Sequence, residues 1–169
     1  MTFDTLNTNA GLIALARTIA ERYSLDAALV CAVAEQESSW EAHALRYEPA
    51  FRMRYVAPLG LPPTEEIARS ISWGLMQVMG QVAREHGFTG KFLSALCEPS
   101  CGLEIGCAVF AAKTAEAARA LAAARDTDGI GLRGPLLANE IAARALELWN
   151  GGGNPDYAAQ VLARVARYK

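Results

Sequence analysis

Apolar positions recur along this chain at helical spacing. Leu12, Ile13, Ala16, Ile19 and Ala20 share one face of a helix predicted from about Asn9 to Tyr23. A second helix is expected from Asp26, a good N-cap residue, to about Ser38. Its nearly unbroken apolar stretch from Ala27 to Ala34 predicts a central helix buried on most sides. The pattern then loosens from Arg46 to Ser70, where Pro49, Pro58, Gly60, Pro62 and Pro63 punctuate it. Prolines break helices, so this stretch reads as a short helix around Phe51, a loop, and another short helix after Thr64. Helical spacing resumes from about Trp73 to His86, with Gly87 placed to end the helix. Pro99 and Ser100 open a long alanine-rich helix to about Arg125, and Asp126 to Gly134 reads as a turn. A further helix from about Pro135 to Trp149 meets the run Gly151, Gly152 and Gly153, and Asn154 and Pro155 are suited to start the last helix. Alternating β-branched runs are absent, so the expected fold class is all-α. No repeat or linker divides residues 1–169, which predicts a single domain.

Composition narrows the function classes. With 169 residues, 52% apolar and 20% charged, the chain can bury a sizeable core. A net charge of -2 argues against a broad nucleic-acid surface. Basic residues gather at Arg46, Arg52 and Arg54 and at Arg164, Arg167 and Lys169, a pattern that solvated helix faces account for. No apolar run reaches the ~18 residues of a membrane span, so no stable membrane insertion is expected. Met1 to Asn9 is polar and Arg17 interrupts Gly11 to Ala20, so no export signal is visible. The expectation is a protein made in the cytoplasm, whose action on any external substrate needs separate release or delivery. Of four cysteines, Cys31 reads as core, while Cys97, Cys101 and Cys107 cluster at a helix entry. Their spacing suits zinc poorly and His43 and His86 are distant, so no metal or cofactor is expected. A Cys97–Cys101 disulfide stays open at this level.

The chemically informative segment is Ala32 to Trp40, AVAEQESSW. Glu37 lies seven residues after Val30 and four after Val33, so it continues the apolar face of its helix. Glu35 and Glu41 fit the solvated face. Burial and the negative end of the helix dipole both disfavour a carboxylate at Glu37 and push its pKa up. A carboxyl group kept protonated near neutral pH is what donation to a glycosidic oxygen requires.

Three motifs in order give this glutamate a context: QES at Gln36 to Ser38, GLMQV at Gly74 to Val78, and LWNGG followed by YAAQVL, with Trp149 to Gly151 and Tyr157 to Leu162. Together they resemble the soluble lytic transglycosylase family, relatives of goose-type lysozyme, over roughly Leu25 to Tyr168. The resemblance implies a lysozyme-like helical domain with a glycan-binding groove and peptidoglycan strands as substrate. It implies cleavage of the β-1,4 bond between MurNAc and GlcNAc with Glu37 as single acid and base. Glu37 protonates the leaving oxygen, then takes the proton of the C6 hydroxyl, which closes a 1,6-anhydro ring. The substrate's own N-acetyl oxygen supports the oxocarbenium-like state, helped by polar groups such as Ser38. Met76 and Gln77 would line the groove, and Gly74 would allow close backbone approach. Leu75 and Val78 read as core. Asn150 belongs to the groove or a helix end, and Tyr157 either holds Glu37 or packs as an amphipathic residue.

The sequence also departs from the family pattern. About 35 residues separate QES from GLMQV, and this insert, assigned to residues 46–72, carries RYEPAF at Arg46 to Phe51. It resembles phage-associated cell-wall enzymes and is expected to wall the groove, with a holin or phage particle as a delivery partner. Its Glu48, facing Glu37 across the cleft, would position water and make the enzyme a muramidase. Trp149 stands where tyrosine is commoner and keeps an aromatic wall. A catalytically silent glycan-binding or tail-structural module is the alternative from another class.

Overall fold

The structure, a computed structural model, describes residues 9–128 and 135–169. It is mostly helical, in agreement with the all-α expectation. Helix α1 (Asn9–Arg22) buries Leu12, Ala16, Ile19 and Ala20 against α2 (Ala27–Ser38). Asp26 caps α2 through its side chain, which accepts from Ala28 N at 2.8 Å and Leu29 N at 3.2 Å. Every residue of α2 from Ala28 to Ala34 is buried, so this helix is the axis of the core. Ser39 (φ 51°) and Trp40 (φ 68°) are both left-handed and end α2 abruptly. The acid two residues before this stop therefore sits at a fixed helix end.

The insert folds as β1 (Leu45–Tyr47), the short turn α3 (Pro49–Phe51), a π-helical turn (Arg52–Val56), a 3-10 turn (Ala57–Leu59) and α4 (Pro63–Arg69). A small sheet of two- and three-residue strands is added to the helical frame. β1 pairs antiparallel with β2 (Ile71–Trp73), placing Arg46 opposite Ser72, and β2 pairs with β3 (Val78–Met79). The helix expected from Trp73 to His86 is consequently two strands, a tight turn, and α5 (Gly80–Glu85). Its apolar residues at helical spacing are instead those of a buried turn.

A 3-10 turn (Leu93–Cys97) leads into α6 (Pro99–Asp128), longer than expected at its C-terminal end. Residues 129–134 of the expected glycine-rich turn lie outside the described residues. Helix α7 (Pro135–Asn150) packs on α6, and α8 (Tyr157–Val165) packs on α2 and α7. Asn154 does not cap α8 as expected. Its Oδ1 accepts from Asp156 N at 3.0 Å and shapes the preceding turn. A final 3-10 turn (Ala166–Tyr168) folds back on α2.

Among the described residues no helix is long and apolar enough to cross a membrane, and no group of three or more His, Cys, Asp or Glu is placed to hold a metal. All four cysteines are free, Cys97 and Cys101 included.

Candidate active site

Glu37 is the penultimate residue of α2 and points to where α7 ends and α8 begins. Its Oε1 accepts two hydrogen bonds, from the Trp149 indole Nε1 at 2.9 Å and from the Tyr157 hydroxyl at 2.5 Å. Tyr157 is buried, and Trp149 is held edge-to-face against Phe110, with ring centroids 5.5 Å apart. Both donors therefore come from side chains that packing has already oriented. They fall on the same oxygen, Oε1, and neither engages Oε2.

The electrostatics run in opposite directions. Burial raises the Glu37 carboxyl above the ordinary carboxylate range, and the Tyr157 and Trp149 donors and the Arg46 guanidinium pull it back only in part. Tyr157 is itself held well above its ordinary range, by burial first and then by the neighbouring Glu37 charge, so it remains a donor at neutral pH. The arrangement makes a carboxylic acid that is protonated more readily than usual, yet whose anion is received by two fixed donors.

The other candidate residues fall in different places. Ser38 directs its hydroxyl to Leu75 O at 2.9 Å, with Ala34 O at 3.1 Å, and so ties the end of α2 to the 74–77 turn. Gln77 does not offer its amide to a groove. Nε2 donates to Ala44 O (3.0 Å) and Gly74 O (2.9 Å), while Oε1 accepts from Ser72 Oγ (2.8 Å). That spends both amide hydrogens on holding a turn in which Gln77 is left-handed (φ 47°). Met76 is 1% exposed and lies in the core, correcting its assignment to the groove. A Cβ on Gly106 of α6 would sit 2.3 Å from its sulfur. Gly74 does serve close approach: its φ is +67° and a Cβ would lie 2.4 Å from Leu96 O.

Glu48 precedes α3, with Oε1 2.5 Å from Arg46 Nε in an ion pair. The atom makes no hydrogen bond of good geometry, so the pairing is charge on charge. Arg46 thus pairs with Glu48 and also acts, by its charge, on Glu37. Asn150 ends α7 and donates Nδ2 to Asn154 O at 2.9 Å. It lines a cavity of about 450 Å³ with Arg144, Glu147, Leu148 and Tyr157 among its walls. Tyr157 borders this cavity, whereas Glu37 and Trp149 do not.

Several contributions were not assigned from sequence. Trp149, expected as an aromatic wall, donates to Glu37. The available signal was its indole N–H, which phenylalanine lacks. Glu35, expected on the solvated face, accepts from the Tyr168 hydroxyl at 2.7 Å and pairs with Arg167 and Arg164. Tyr168 also accepts from Trp40 Nε1 at 2.9 Å, so the C-terminal turn is bolted to both sides of the end of α2. Gln36, beside the acid, donates Nε2 to Gln160 Oε1 at 3.1 Å. Its own Oε1 is buried without a partner, a cost of about 1–3 kcal/mol in general that the fold tolerates at this point.

No curated protein and no solved structure matches the chain. The family model described as "Transglycosylase SLT domain" matches residues 14–124, a span that holds Glu37 and stops short of Trp149 and Tyr157. With about two thirds of the sequence under that match, and a half-buried, doubly hydrogen-bonded glutamate inside it, the chain belongs to the transglycosylase SLT domain family.

Proposed function

We propose that this protein cleaves the β-1,4 bond between MurNAc and GlcNAc in peptidoglycan strands by non-hydrolytic transglycosylation, with Glu37 as the single acid and base. The observation that carries the reading is the Glu37 carboxyl itself, raised by burial and held through one oxygen by Trp149 and Tyr157. In the first step the Oε2 proton passes to the glycosidic oxygen as its bond to C1 breaks. The carboxylate formed is received by the two donors, which stabilise charge as it develops. The substrate's N-acetyl oxygen supports C1. In the second step Glu37 takes the C6 hydroxyl proton while O6 bonds to C1, and the acid is restored. Family membership supports peptidoglycan as the substrate class.

The pairing of Glu48 with Arg46 favours this route over a water-using muramidase, since that carboxylate is already engaged by a guanidinium. Action at the cell wall, after release through a permeabilised membrane or delivery in a particle, is the matching biological proposal. The direct test incubates purified peptidoglycan with wild type and Glu37→Gln and identifies the muropeptides by mass spectrometry. Wild type is expected to release 1,6-anhydro ends and Glu37→Gln none. Reducing ends from wild type, no soluble glycan at all, or full activity in Glu37→Gln would each refute it.

A further inference from the structure

The two donors on Glu37 are separated by the loop from Asn150 to Asp156. Its glycines Gly151 (φ +63°) and Gly152 (φ +86°) have open space where a Cβ would sit. Packing therefore does not set the loop's shape at these positions, although an error there would move Trp149 and Tyr157 relative to each other. Hydrogen bonds at Asn154 set it. The Asn154 carbonyl accepts from Asn150 Nδ2 at 2.9 Å and Tyr157 N at 3.2 Å, and its Oδ1 accepts from Asp156 N at 3.0 Å. Its Nδ2 donates to Gln160 Oε1 at 3.2 Å. That same Gln160 oxygen accepts from Gln36 Nε2 at 3.1 Å.

One amide oxygen is thus shared between the residue preceding the acid and the loop that spaces the acid's two donors. Gln160 also lies three residues after Tyr157, on the same side of α8. We propose that Gln160 is a positioning residue, whose Oε1 locks α2 to the 150–156 loop and so fixes Trp149 and Tyr157 together on Glu37. The proposal rests on the reading of Glu37 as the acid. It predicts that the acceptor oxygen matters, and the bulk of the side chain does not.

Gln160→Leu keeps the bulk and removes the acceptor, whereas Gln160→Glu keeps an acceptor at the same reach. On purified peptidoglycan, Gln160→Leu is expected to lower kcat about tenfold or more with little change in KM, as misplacement near reacting groups does. Gln160→Glu is expected to recover most of that loss. A second readout does not depend on turnover. The Trp149 indole N–H resonance, assigned by its loss in Trp149→Phe, should titrate with Glu37 in wild type and move toward the free indole position in Gln160→Leu. Asn154→Ala removes the node from the loop side and should move the same resonance, which keeps the test available if Gln160→Leu does not fold. An unshifted resonance in these variants, wild-type kcat in Gln160→Leu, or equal behaviour of the Leu and Glu variants would overturn the proposal. Inactivity of wild type would instead refute the transglycosylase reading, and the indole resonance would still decide the positioning role.

Discussion

Removing the Tyr157 hydroxyl isolates one of the two supports of the acid. In Tyr157→Phe the ring still fills its buried site, but the 2.5 Å hydrogen bond to Glu37 Oε1 is gone and the 2.9 Å bond from Trp149 stays. A hydrogen bond to a charged group is generally worth about 1.5–3 kcal/mol. Since Trp149 still serves the same oxygen, the lower end applies. The anion formed on proton transfer should lose about 1.5 kcal/mol of support, which lowers kcat roughly tenfold. The pH dependence carries a sign. Burial raises the Glu37 carboxyl and the Tyr157 bond lowers it, so removing that bond lets burial act more fully. Activity requires the protonated acid, and the alkaline limb of the profile should move to higher pH. Turnover of purified peptidoglycan, followed from acid to alkaline pH for both proteins, measures the two effects together. Wild-type kcat, or a limb displaced to lower pH, would refute the view that Tyr157 stabilises the Glu37 anion.

Glu37→Gln should raise the melting temperature at neutral pH. The folded state raises the wild-type carboxyl, so its stabilising share is complete below the unfolded value of about 4.3 and is lost as pH rises through the folded value. The gain should therefore shrink to nothing in melts below about pH 4. Glu48→Gln should leave the product ends as 1,6-anhydro sugars in mass spectra, because Glu48 is engaged with Arg46; loss of any reducing-end products in that variant would identify Glu48 as a water-activating base. Gly74→Ala should destabilise the fold by about 2–5 kcal/mol, from a left-handed backbone and a backbone clash with Leu96. Thermal melts should show this as a drop of roughly 5–15 °C.

The long helices were readable because their apolar residues keep one face over many turns and Asp26 supplies a cap of known chemistry. The 73–86 segment was not. Its strands are two and three residues long, and the left-handed backbone at Gln77 has no sequence signal in a non-glycine residue. Glu37 stood out because a carboxylate on an apolar helix face is expensive unless it has a purpose. Its partners were another matter. Trp149 and Tyr157 have ordinary packing explanations, and only the tertiary arrangement brings them to one oxygen. The burial of Met76 and the engagement of the Gln77 amide within its turn escape the sequence for a related reason. A methionine beside a glycine of another helix, or an amide turned back on its own turn, is settled by contacts that spacing cannot reveal.

The hydrogen bonds that equip Glu37 span 112 and 120 residues of sequence. Closing loops of that length carries an entropy cost that only a largely assembled core can offset. The acid should therefore gain its chemical character late in folding, after α1 and α2 have docked. A nascent or clipped chain ending near residue 124 would lack both hydrogen-bond donors to the Glu37 carboxyl. On the proposed function, activity is then a property of the finished topology, which a partly folded chain does not yet have.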